Sequence, residues 1–146
     1  MYKVENSILH IIYNDKKDEI YHSISKWADE YEGKVNNRIG VNFPLTSKHK
    51  NLFDKYGKAS YLVMYKKGDV NTKLHELQHA RYYLDSTFRA EVQSLWEKID
   101  KSSKNVILGM LKRMGYPDHP DILIDEFQAY YFTEKPNFFG KIKYII

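Results

Sequence analysis

The chain has 146 residues, of which 42% are hydrophobic, with a net charge of +4 and no cysteine. That length suits one domain, 1–146, with a core that needs no covalent staples. The missing cysteine excludes disulfides, thiolate metal sites and cysteine nucleophiles, so any metal must be held by His, Asp or Glu.

The opening "MYKVENSILHIIYNDKKDE" does not read as a secretory leader, because its apolar run is short, broken by His10 and followed by charges. A soluble, cytoplasmic protein is the expectation. Residues 7–13, "SILHIIY", are β-branched and apolar and predict a buried strand. Asn14 or Asp15 then caps a helix with Ile20, Ile24, Trp27, Ala28 and Tyr31 along one face, stopped at Gly33. Residues 35–43 read as extended, ending at Pro44. Ser47 caps a short helix that Gly57 terminates. Residues 59–66, "ASYLVMYK", predict a strand with Tyr61, Val63 and Tyr65 on one face and Leu62 and Met64 on the other.

From there the pattern turns helical. A helix is predicted over 71–84. A second, capped by Asp85 or Ser86, carries Phe88, Val92, Leu95, Trp96 and Ile99, and a third covers about 104–114 and ends at Gly115. "YPDHPD" reads as a loop, since prolines and aspartates oppose helix continuation. A last helix starts near Asp121, runs through "ILIDEFQAYYFTE" and is stopped by Pro136. The fold class is α+β: a small N-terminal sheet with helices, then a helical C-terminal half. The lysines are scattered in short pairs such as Lys16–Lys17 and Lys66–Lys67, as on a solvated surface. A nucleic-acid partner is permitted by the charge alone, and no membrane partner is expected.

Within the 71–84 helix lies "HELQH". Residues four apart on a helix point the same way, so His75 and His79 present two imidazoles to one point, a spacing that can grip a single metal ion. Glu76 lies about 100° round the helix, outside that pair but within reach of a water beside it. Leu74, Leu77 and Ala80 give the helix apolar flanks, and two buried imidazoles must be satisfied by something.

This segment resembles the metal-binding helix of the zincin metallopeptidases, whose signature is H-E-x-x-H. Thr72 fits the position three before the first histidine. Lys73 and Arg81 depart from the family's preference for uncharged and apolar neighbours. A catalytic zinc needs a third protein ligand and an open fourth position. Asp85 is six residues after His79, but Tyr82 stands where metzincins have the glycine that turns the chain back, so capping is its role. His119, in the "PDHPD" loop, can be delivered by a stiff loop but reads as a surface residue.

Glu126 is the best candidate. Gluzincins take their third ligand from a glutamate on a downstream helix, often with a small residue three later, here Ala129. The likeness is to compact gluzincin-like domains, including the ImmA/IrrE type, and covers about 70–134. Tyr130 stands where thermolysin-like enzymes have an aspartate that orients a histidine.

The resemblance implies a zinc-dependent peptide hydrolase with Zn2+ on His75, His79 and Glu126. Glu76 would be the general base, and a peptide or protein would be the substrate. Tyr130 is the first choice to support the oxyanion, with Tyr131, His119 and Tyr83 as alternatives. The strand before the metal helix would offer an edge for an extended substrate, unless it is interior. Two rival functions stand beside this one. Glu19–His22 and Glu76–His79 are both E-x-x-H pairs, which with Glu91 and Glu126 suggests a di-iron carboxylate protein, although the strands leave little chain for a four-helix bundle. The other rival is a non-catalytic zincin-like binding protein.

Overall fold

The computed structural model describes residues 1–32, 38–134 and 138–140. The fold is α+β, and the chain divides into two compact units, Met1–Ala80 and Arg81–Ile146. Among the described residues no helix is long and apolar enough to cross a membrane.

The first unit is a four-stranded mixed sheet with helices on both faces. Strand β1 (Tyr2–Glu5) forms an antiparallel hairpin with β2 (Ile8–Tyr13). The hairpin turn is Asn6–Ser7, both at positive φ (52° and 66°), the geometry whose twist matches that of paired strands. Helix α1 (Glu19–Glu32) follows, starting later than the expected Asn14 or Asp15 cap. Asp18 instead accepts the backbone N–H groups of Asn14 and Asp15, folding the preceding loop.

Strand β3 (Val41–Pro44) and β4 (Tyr61–Lys66) complete the sheet in the order β1-β2-β4-β3. β4 is parallel to β2 and antiparallel to β3. It is therefore an interior strand, and the sheet edge on this side is β3, not the strand that precedes the metal helix. Between β3 and β4 a short helical stretch includes α2 (Lys50–Phe53) and ends at Gly57, whose φ of 115° suits glycine.

The alternation expected for β4 holds. Leu62 and Met64 join Leu9, Ile11, Tyr13 and Phe43 in a core beneath Tyr21, Ile24 and Ala28 of α1. Tyr61, Val63 and Tyr65 face the other way, toward Leu77 and Ala80 of α3 (Val70–Leu84). Tyr31, expected on the buried face of α1, is 56% exposed. Tyr21 is buried in its place, because its hydroxyl reaches the carbonyl of Arg38 at 2.7 Å and so loses no hydrogen bond. The expected stop at Gly33 and the first part of the 35–43 segment lie outside the described residues. Asp69 caps α3 by accepting from the Thr72 N–H and hydroxyl.

The second unit holds α4 (Ser86–Lys98), α5 (Lys101–Arg113) and α6 (Pro120–Thr133). Asp85 caps α4 by accepting from the Phe88 N–H at 3.0 Å, the role the sequence implies. Asp100 caps α5 in the same way through Ser103, so that helix begins three residues before the expected 104. Pro120 does not end a loop but opens α6 at its first turn, where its missing N–H costs nothing. The core of this unit is Ile99, Ile107, Leu111, Leu123, Phe127 and Phe139. Pro136 lies outside the described residues.

Candidate metal centre

Helix α3 runs without a break through both histidines, with Asp69 fixing its start. One face packs on the sheet through Leu77 and Ala80, and this buries the neighbouring positions on the same side. His79 is buried at 3% exposure and Glu76 at 7%, while His75 is half-buried.

The two imidazoles aim the same atom at the same point. His75 Nε2 and His79 Nε2 are 3.3 Å apart, with the rings at 75° to one another. Two nitrogens each about 2.0–2.1 Å from a tetrahedral zinc are separated by about 3.3–3.4 Å, and the observed spacing matches that edge. It is long for a hydrogen bond between two rings, where about 2.9–3.0 Å is usual.

Among the described residues, His75, His79 and Glu126 each offer a ligand atom within 4.8 Å of the others. This group could hold a metal ion. Two imidazoles and a carboxylate, without thiolate, suit a borderline divalent ion of the first transition row; the donor set does not by itself select one. Glu126 stands on α6 and is half-buried.

Glu76, the expected base, is held by the sheet. Its Oε2 accepts a hydrogen bond from Asn42 Nδ2 at 2.8 Å. Asn42 Oδ1 in turn accepts from the Tyr61 hydroxyl at 2.5 Å. The hydroxyl can only donate to the amide oxygen, which turns the amide NH2 toward the carboxylate. On the other side is Gly40. A Cβ built there would fall 2.6 Å from Glu76 Oε1 and 2.6 Å from Thr72 Cγ2, so only glycine leaves room for the carboxylate where it lies.

Tyr130 packs in the aromatic cluster of the second unit, stacked on Phe138 at 4.9 Å, with its hydroxyl 2.8 Å from that of Tyr116. Tyr131 is half-buried beside Phe127, and burial raises its phenol pKa. His119 and Tyr83 are exposed, and Asp85 is a helix cap. Glu19 and His22 are exposed on α1, across the sheet from α3, so the fold does not bring the two E-x-x-H pairs together. Glu91 is also exposed. Asn42, Tyr61 and Gly40 had no signal in the motif; only strand pairing carries them to Glu76.

Comparison of the chain with protein-family models, with curated proteins and with solved structures finds no match.

Proposed function

We propose that the protein is a zinc-dependent peptide hydrolase, with His75, His79 and Glu126 as metal ligands and Glu76 as general base. The observation that carries this reading is the 3.3 Å spacing of the two Nε2 atoms, with a Glu126 carboxylate oxygen within 4.8 Å of each histidine's ligand atom. A zinc ion held there would supply a Lewis acid and lower the pKa of a coordinated water toward about 7.

The chain's own residues do the remaining work. Glu76 takes the proton of the attacking water on its carboxylate and returns it to the amine that leaves, so the peptide bond is replaced by an acid and an amine. Burial of Glu76 beside the sheet keeps bulk water from competing for that proton. Strand β3 is the sheet edge and carries Asn42 to Glu76. An extended peptide pairing with β3 would therefore run beside the base, which moves the expected strand addition from β4 to β3. Tyr130 is kept as the oxyanion donor to be tested, with Tyr116 as its hydrogen-bond partner.

Elemental analysis of the purified chain tests the ligands. One zinc per chain is expected, with loss in Glu126→Ala and in His79→Ala. Stoichiometric zinc retained in Glu126→Ala would remove Glu126 from the ligand set. Fluorescein-labelled casein is the probe for hydrolysis. Glu76→Gln should keep the zinc and lose cleavage, whereas full activity in that variant would reject the base. Tyr130→Phe should lower kcat about 10²-fold, and an unchanged kcat would return Tyr130 to a packing role.

A further inference from the structure

We infer that Asn42, Tyr61 and Gly40 form a dedicated seat for the Glu76 carboxylate, with Asn42 as the positioning residue of the proposed base. The inference rests on the hydrolase reading, and it deepens that reading by assigning residues outside the motif.

The geometry has a direction. Tyr61 donates to Asn42, and Asn42 donates to Glu76. The chain of donors ends on a carboxylate, which in its ionised form can only accept. The side chains belong to β3, β4 and α3, and the two strands are held in register, with Asn42 opposite Val63 and Pro44 opposite Tyr61. The three hydrogen-bonded side chains therefore stand on regular elements, as a catalytic group requires, and Gly40 sits in the residue just before β3.

Gly40 supplies the remaining wall. The Cβ that any other residue would add meets Glu76 Oε1 and Thr72 Cγ2 at 2.6 Å, a distance at which something must move. The mobile partner is the tip of Glu76. An alanine at position 40 would thus displace the carboxylate, with the Thr72 methyl at the first turn of α3 having to turn aside as well.

A structural role for Asn42 would make a different demand. If Asn42 only filled space, aspartate, which has the same shape, would replace it. If its N–H is what positions Glu76, aspartate sets one carboxylate against another and is worse than alanine. Exchanging both residues restores the bond with its direction reversed, since a glutamine at 76 can donate to an aspartate at 42.

The test is a double-mutant cycle on the full chain, read by urea unfolding midpoints, zinc content and cleavage of labelled casein. Asn42→Asp should lower the midpoint, and the double variant Asn42→Asp/Glu76→Gln should recover it without recovering cleavage. Asn42→Ala and Gly40→Ala should each keep one zinc and the parent KM while kcat falls up to about 10²-fold, the loss expected for a displaced catalytic group. Tyr61→Phe removes one hydroxyl and should change kcat in the same direction by less. An absence of coupling between positions 42 and 76, or a parental kcat in both Asn42→Ala and Gly40→Ala, would overturn the inference. Failure of the hydrolase reading has a different signature: the parent chain binds no zinc and cleaves nothing while the coupling persists, which removes the catalytic assignment of the seat.

Discussion

Asn42 and Glu76 are 34 residues apart in sequence, yet their side chains meet at 2.8 Å. The contact separates two substitutions that chemistry alone would group together. Glu76→Gln keeps an oxygen for Asn42 to donate to, and its unfolding free energy should stay within about 1 kcal/mol of the parent. Glu76→Ala leaves the Asn42 amide without this acceptor in a half-buried place and should cost about 1–3 kcal/mol. Urea titrations of the two variants check this. Equal stability would mean that water replaces the carboxylate without loss.

A bound metal should stabilise the fold by mass action. Zinc at 100 times its Kd adds about 2.7 kcal/mol if it binds only the folded chain. For a chain of this length that is a rise in Tm of about 5–10 °C. Thermal unfolding with added zinc, and with EDTA in its place, measures the difference. His79→Ala should abolish the zinc-dependent part, because it removes one of the two Nε2 atoms proposed as ligands. A zinc-dependent rise that survives in His79→Ala would place the binding elsewhere.

The parts of this molecule that were legible in its sequence are those set by local spacing. The convergence of His75 and His79 follows from helical periodicity over one turn, and the two faces of β4 follow from alternation. Glu126 was reachable because a family resemblance pointed to a downstream helical glutamate. The seat of Glu76 was not legible: Asn42, Tyr61 and Gly40 meet it only through pairing between strands distant in sequence. Strand β1 is not legible in the sequence, because its turn, Asn6–Ser7, lacks the glycine that usually marks such a hairpin. Two helix starts differ from the sequence reading for local reasons: Asp18 folds the loop before α1, which begins at Glu19, and Asp100 caps α5, which begins at Lys101. Tyr21 and Tyr31 exchanged places because the depth a tyrosine reaches depends on what its hydroxyl finds.

Asp85 offers a stability prediction that also closes a metal question. Its Oδ1 accepts the Phe88 N–H and starts α4. Asp85→Ala should cost about 0.5–2 kcal/mol, whereas Asp85→Asn, which can still accept that bond, should cost much less. Neither should change the zinc content. Loss of zinc in Asp85→Asn would show that the carboxylate serves the metal and not only the helix.

Acid should destabilise the fold through two buried histidines. His10 sits in the sheet with Nδ1 2.9 Å from the Tyr65 hydroxyl, and its pKa is lowered from 6.5, chiefly by burial, with Lys3 and Lys73 adding and Glu5 opposing. His49 lies among Trp27, Phe43 and Phe53, and burial lowers it too, with Lys48 adding and Glu30 opposing. The sign follows from linkage. Well above pH 6.5 both rings are neutral folded and unfolded, and the native state keeps its full advantage. As pH falls past the unfolded pKa, the unfolded chain takes up protons that the native chain refuses. Stability is then lost down to the lower native pKa. Urea midpoints in EDTA should therefore fall between about pH 7 and pH 5, and His10→Gln and His49→Phe should each show a shallower fall than the parent. Because the comparison is a difference, His75 and His79 contribute equally to both chains. A variant that loses stability with pH as steeply as the parent would show that the ring it replaced is protonated without cost in the native fold.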